Sequence, residues 1–189
     1  MGRLPDPDPA VSDDQLIARF RAGDQEAFTV CYRRHSPAVF RFALHMTGDR
    51  AMAAEVTQDV FVWFLNHPGR FDPARAALGA FLIGVTRRLL LKRRNEEFRW
   101  QPLSEAQLEA QAYEAPPGSP TAREVRQAIG ALPVNYREAV VLCDLEGQSY
   151  EAAAAALGCP SGTIRSRLHR ARQLLARKLG VHKEQKCWT

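Results

Sequence analysis

Apolar side chains recur along this chain at intervals of three and four residues, and the pattern predicts one helix after another. Ser12 with Gln15 reads as a capping box that opens a helix running to about Ala22. Gly23 ends it and Asp24 caps the next. That second helix, 25–46, carries Phe28, Cys31, Tyr32, Val39, Phe40, Ala43 and Leu44, and Pro37 is expected to kink or split it. Thr47-Gly48-Asp49 is a stop followed by a new cap. A third helix spans 50–66, with Val56, Val60, Phe61, Phe64 and Leu65 as its stripe. Residues 66–72 break the pattern and read as a loop. Asp72 is then expected to cap a long helix that begins at Pro73 and runs to about Glu97. Its first part is apolar around Leu78, Phe81, Leu82 and Val85. Its second part is basic, with Arg87, Arg88, Lys92, Arg93 and Arg94.

Residues 98–120 lose the periodicity. Pro102, Pro116, Pro117, Gly118 and Pro120 interrupt them and Glu105, Glu109 and Glu114 lie between, so they read as a mildly acidic linker. Thr121 with Glu124 is a second capping box. Leu132-Pro133 ends that helix and begins another through Tyr136, Val140, Val141 and Leu142, which Gly147 terminates. Residues 1–11 are rich in Pro and Asp and are expected to be disordered.

The stretch 149–172 carries the sharpest signal. It reads as a short alanine-rich helix, a three-residue turn and a second helix, with Ala154, Gly158 and Ile164 in the places of a small packing residue, a turn glycine and a buried aliphatic. Ser161 is expected to cap the second helix. Ile164, Leu168, Ala171, Leu175 and Leu179 form its apolar stripe, and Arg165, Ser166, His169, Arg170 and Gln173 fall on the other side at about 100° per residue. No acidic residue occurs from Ser161 to Lys178, while six Arg or Lys do. A helix packed on one side and basic on the other suits a DNA major groove, where Arg reads guanine edges and Ser or His adds hydrogen bonds. The bland alternative is a solvated basic face on a structural helix.

Composition narrows the picture further. The 189 residues, 46% of them hydrophobic, are enough for one domain or two small ones, and a net charge of +5 favours a polyanion or an acidic partner. Cys31, Cys143, Cys159 and Cys187 are far apart and form no CxxC pair, so neither a zinc site nor a redox dithiol is indicated. Cys31 and His35 stand four apart, a spacing that chance supplies often. No cofactor or metal is expected. There is no run of 18 apolar residues and no signal peptide, and the expected location is the cytoplasm.

Three stretches together resemble a known family, the extracytoplasmic-function (ECF) RNA polymerase sigma factors of the sigma-70 superfamily. They are Asp14 to Phe28, Thr47 through Phe61 to Pro73, and Leu132 through Asp144-Leu-Glu-Gly147 to the helix-turn-helix. The resemblance covers 12–179. It implies an all-α protein of two small helical domains, sigma region 2 (12–97) and sigma region 4 (121–180), joined by a flexible linker (98–120) and followed by a tail (181–189). It implies binding to core RNA polymerase, through the β′ clamp helices and the β flap, and to promoter DNA. It also implies restraint by an anti-sigma factor, often anchored in the membrane, which would hold the chain at the inner membrane face.

Carried over by motif, the clamp surface falls on Glu55, Gln58, Asp59 and Trp63. The −10 reading and melting device falls on Asn66, His67, Arg70, Phe71 and Arg75, with Arg87, Arg88 and Lys92 behind them to hold phosphates. The −35 reader falls on Ser161, Thr163, Arg165, Ser166, Arg167, His169 and Arg170. Departures from the family pattern occur at Phe81 (commonly Trp), Arg88 (Asn), Lys92 (Asp) and Ala54-Glu55 (Glu-Asp). The alternative function is a stand-alone helix-turn-helix regulator, which would need neither the clamp helix nor the loop. An enzyme has little support: no nucleophile elbow, phosphate loop or metal spacing appears.

Overall fold

The computed structural model of the chain describes residues 11–97 and 121–180. The expectations for residues 1–10, for the linker 98–120 and for the tail lie outside the described residues, as do the side chains of residues 94–97. Eight α-helices and no strand occur among the described residues. They are α1 (Asp13–Arg21), α2 (Gln25–Thr47), α3 (Arg50–Asn66), α4 (Leu78–Glu97), α5 (Ala122–Gly130), α6 (Val134–Val140), α7 (Tyr150–Leu157) and α8 (Ser161–Lys178). A single 3-10 turn, Pro68–Arg70, lies between α3 and α4, and α6 continues into a π turn at Val141–Leu145.

Local signals account for most boundaries. The Ser12 and Thr121 capping boxes are both formed, each hydroxyl accepting from the backbone N–H three residues on. Asp24 and Asp49 cap α2 and α3 with their carboxylates. Gly158 ends α7 at φ 64°, ψ 41°, the left-handed conformation that a Cβ disfavours.

Three expectations need correcting. Pro37 does not split α2, which runs unbroken from Gln25 to Thr47. The proline stands on the exposed side, while Ala27, Cys31, Val39, Phe42 and Ala43 bury the opposite one, and their packing outweighs one missing backbone hydrogen bond. Next, α4 begins at Leu78 rather than Pro73. Asp72 caps only a turn, accepting from the Ala74 N–H at 3.0 Å. Residues 72–75 are exposed, Ala76 only grazes the core, and the first fully buried side chain is Leu78, at 1% exposure. Finally, Ser161 is the first residue of α8, and Pro160 holds the cap position without a side-chain hydrogen bond.

The buried residues form one cluster that runs through both halves of the chain, from Leu16 to Ala171. Full burial of a side chain such as Phe42, Phe64, Leu82 or Ile164 contributes roughly 1.5–3 kcal/mol. The halves meet where α4 packs on α7 and α2 on α6. Gly84 makes the first of these contacts close, since a Cβ there would stand 3.1 Å from the carbonyl oxygen of Ala156.

Three charged contacts cross the same boundary. Arg87 donates to the buried Glu138 at 2.6 Å. Arg41 makes a two-pronged contact with Glu146, at 2.7–3.0 Å. Arg137 donates to the Met46 carbonyl at 2.9 Å. No helix among the described residues is long and apolar enough to cross a membrane.

Candidate nucleic-acid interface

The helix-turn-helix presents its basic face as the periodicity predicts. Ile164, Leu168 and Ala171 are buried, while Ser161, Arg165, Ser166, His169 and Arg170 are exposed and Thr163 is half-buried. The Ser166 hydroxyl donates to the Thr163 carbonyl at 2.9 Å and keeps its lone pairs for a ligand. Arg170 reaches the Tyr136 hydroxyl at 3.4 Å. Arg167 does not join this face. It lies three residues after Ile164, on the side of the buried stripe, and its guanidinium turns back to within 3.9 Å of the Cys159 sulfur in the turn. Arg172 is also taken, by a two-pronged contact with Asp144 at 2.6 and 3.1 Å that holds it firmly protonated.

The loop between α3 and α4 forms a second surface. Asn66, His67, Arg70 and Arg75 are exposed. Phe71 is not. It is 2% exposed and packs on Phe81 with ring centroids 5.4 Å apart, so it supports the loop from below and offers no face to a base. The loop's outward ring is His67, stacked on Trp63 at 4.9 Å and 18°. Trp63, expected on the clamp surface, is half-buried between His67 and Phe81.

One positioning residue is absent from the sequence-based set. Arg21, at the end of α1, donates to the Pro68 carbonyl at 2.9 and 3.2 Å and to the Phe71 carbonyl at 2.5 Å. It pins the loop at both ends of the 3-10 turn. An arginine in a last helical turn is common, and nothing in the local pattern assigns it to a loop 47 residues away.

The basic part of α4 is partly engaged. Arg88 and Lys92 are exposed, whereas Arg87 is tied to Glu138, so in this arrangement it is not open to a phosphate. Arg93 reaches across to α3, donating to Glu55 at 2.9 Å and to Asp59 at 2.5 Å. The hydrogen bond from Arg93 holds the Glu55 carboxyl below its ordinary range. The two carboxylates expected to meet the polymerase clamp therefore already hold a cation, while Gln58 stands exposed beside them. Thr57, in the same motif, is buried and donates to the Ala53 carbonyl at 2.7 Å.

Among the described residues no group of three or more His, Cys, Asp and Glu side chains could hold a metal. His35 lies instead 2.9 Å from Asp13. The arrangement defines an all-helical protein of the helix-turn-helix class that turns two basic surfaces outward, the exposed face of α8 and an aromatic-basic loop pinned by Arg21.

Comparison with known proteins agrees with this class. Residues 31–97 match the Sigma-70 region 2 family and residues 122–175 match Sigma-70, region 4. The chain is 34% identical to the ECF RNA polymerase sigma factor SigE of Mycolicibacterium smegmatis over 85% of its own length, and it spans about 65% of the length of that relative. It is 35% identical to the ECF RNA polymerase sigma factor SigM of Mycobacterium tuberculosis, over 89% of this chain and 85% of the relative. Among solved structures, the sigma factor RpoE of Bartonella quintana, in complex with the anti-sigma factor NepR, superposes with a TM-score of 0.64 at 25% identity, over 82% of this chain and 98% of that one. The chain belongs to the ECF sigma factors of the sigma-70 family.

Proposed function

We propose that the chain is an alternative sigma factor that binds core RNA polymerase, recognises −35 and −10 promoter elements, promotes melting of the −10 region and is restrained by an anti-sigma factor. The observation that carries the DNA-binding part is the one-sided exposure of α8, with Arg165, Ser166, His169 and Arg170 outward and Ile164, Leu168 and Ala171 inward. Such a helix enters a major groove and reads base edges. The loop supplies the second half of the activity. A base that leaves the stack costs a few kcal/mol, recovered by aromatic stacking and by cations on the separated strand. His67, Arg70 and Arg75 offer both, on a backbone that Arg21 holds in place. Arg88 and Lys92 add phosphate contacts, which make binding salt-dependent without reading sequence.

In this reading the chain acts as two modules, 12–97 on the clamp and the −10 element and 121–180 on the −35 element and the flap, which contain the matched stretches 31–97 and 122–175. The clamp surface is the α3 face carrying Glu55, Gln58 and Asp59, with the exposed Val62 and Leu65 further along the same helix. The anti-sigma partner is inferred from the relative solved with NepR. The stand-alone regulator is disfavoured because both sigma regions are matched in order.

The test is run-off transcription with purified bacterial core polymerase on the promoter upstream of the chain's own operon. Specific initiation only when the chain is present supports the reading. DNA binding by the chain alone, with no binding to core and no initiation, overturns it in favour of the regulator.

A further inference from the structure

The loop holds one side chain whose hydrogen-bonding state is fixed by its surroundings. His67 Nδ1 lies 2.8 Å from the carbonyl oxygen of Trp63. A carbonyl oxygen can only accept, so Nδ1 carries the proton, and in a neutral imidazole Nε2 is then an acceptor. The ring is held on one face by Trp63, and what surrounds that pair is itself fixed. Trp63 covers one face at 4.9 Å. Phe81 stands behind Trp63 at 6.3 Å. Arg21 fixes the carbonyls of Pro68 and Phe71 in the turn that follows. His67 is exposed, and with Phe71 buried it is the aromatic ring that this loop turns to solvent.

We infer that His67 reads an unstacked base, its Nε2 accepting from the exocyclic amine that adenine and cytosine carry where guanine and thymine carry a carbonyl oxygen. The inference rests on the reading of this loop as the −10 reader and assigns that site its base class. The edge in question carries an amine donor on adenine and cytosine and an acceptor oxygen on guanine and thymine. Facing the Nε2 lone pair at that position, the first two gain a hydrogen bond, whereas the last two present an oxygen lone pair there and reach Nε2 only if the base slides to bring guanine N1–H or thymine N3–H to it. The Nε2 lone pair lies in the ring plane, so the base it reads meets the ring edge to edge; the free face of the stacked Trp63–His67 pair can carry a neighbouring base of any kind, and the acceptor alone carries the preference. Arg70 and Arg75, exposed on the same loop, hold the flanking phosphates.

The experiment uses the holoenzyme, this chain with purified bacterial core polymerase, and fork-junction DNA that presents the −10 element of the operon promoter as a single strand. Each adenine or cytosine of that element is replaced in turn by its counterpart lacking the exocyclic amine. At one position, removal of the amine is expected to weaken binding about three- to tenfold, the yield of one neutral hydrogen bond. His67→Phe keeps the aromatic face without the acceptor and should reduce that penalty to below about twofold. His67→Gln restores an acceptor and should restore the penalty. Circular dichroism of each variant separates misfolding from lost reading.

A photocrosslinker in place of Gly69, where a side chain meets nothing within 4 Å, reports the loop independently. Crosslinking to the −10 strand, with an amine penalty that persists in His67→Phe or a preference for carbonyl-bearing bases, overturns the role of His67 and leaves the loop reading standing. No crosslink and no effect of any −10 base overturns the loop reading itself.

Discussion

The contact between Arg87 and Glu138 makes the sharpest prediction, because its two ends sit in different surroundings. Glu138 is 1% exposed, whereas the Arg87 side chain keeps 26% of its surface in water. Arg87 Nε donates to Glu138 Oε1 at 2.6 Å, joining α4 to α6 across the boundary between the matched regions. Two substitutions that remove the same ion pair should therefore differ in cost. Arg87→Gln takes the cation from a carboxylate that water does not reach, a change that costs about 3 kcal/mol at buried pairs. Glu138→Gln keeps an oxygen that accepts from Arg87, and the guanidinium can also turn toward solvent, so its cost should be about 1 kcal/mol. Replacing both, as Arg87→Met with Glu138→Leu, should fall near neutral, since a buried pair exchanged for apolar groups of similar volume loses little.

The assay is urea unfolding of the single and double variants, with one fluorescent pair spanning the halves and circular dichroism following the helices. If the boundary couples the halves, the wild-type chain unfolds with coincident probes and Arg87→Gln separates them. In the closed cycle of Arg87→Gln, Glu138→Gln and the two combined, the combined variant should lose about 2 kcal/mol against a sum of about 4 kcal/mol for the singles, a coupling energy of about 2 kcal/mol. Equal losses for the two single variants, an additive double variant and probes that coincide throughout would refute the reasoning. The outcome also bears on DNA binding. Arg87 is one of the phosphate-holding candidates, and it is open to a phosphate only after it leaves Glu138.

Other tests reach the separate surfaces. Arg165→Ala should cost on the order of 1–3 kcal/mol at one −35 base pair and relax specificity there, read by competition among promoter variants; equal losses on every promoter would remove its base-reading role. Glu55→Lys with Asp59→Lys should weaken binding to core polymerase by charge reversal, measured by fluorescence anisotropy, and adding Arg93→Glu restores the contact inside the chain. Full recovery of core binding in the triple variant would show that the carboxylates act only within the chain. Arg21→Ala removes the hydrogen bonds to Pro68 and Phe71, so hydrogen exchange at residues 69–71 should quicken and melting should weaken while core binding holds.

Burial raises the Cys31 thiol to about 11, with nearby Asp13 a lesser cause, so iodoacetamide near neutral pH should modify it only after unfolding. Because the folded value lies above the ordinary 9.0, this thiol's contribution to stability is complete below 9.0 and is lost as pH rises toward about 11. Urea titrations on either side of that window measure the loss, and a midpoint that does not fall across it would show that Cys31 titrates as it does in the unfolded chain.

What the sequence conveyed follows from the range over which each interaction acts. Caps, turn glycines and apolar stripes are local, and Ser12, Thr121, Gly158 and the Ile164–Leu168–Ala171 stripe fall in the structure where the pattern puts them. The start of α4 differs because Asp72-Pro73 is a strong local signal with nothing larger than alanine on the apolar side after it until Leu78, and the helix waits for the first large side chain that has a core to enter. Charge groups Arg167 with its basic neighbours, but its position three residues after Ile164 turns it toward the packed side.

Beyond that range the pattern is silent. Arg21 meets its carbonyls 47 and 50 residues on, Arg93 meets Asp59 34 residues back, and Arg87 meets Glu138 51 residues on. Each is a basic residue on a helix surface, where solvent is the ordinary partner, and the fold alone decides which of them finds an acceptor. A basic stretch read from sequence is thus an upper bound on the cations free for DNA. On α4 the structure subtracts Arg87 and Arg93 from that bound and leaves Arg88 outward, so Arg88, with Arg70 and Arg75 on the loop, should carry the greater share of the salt dependence of −10 binding.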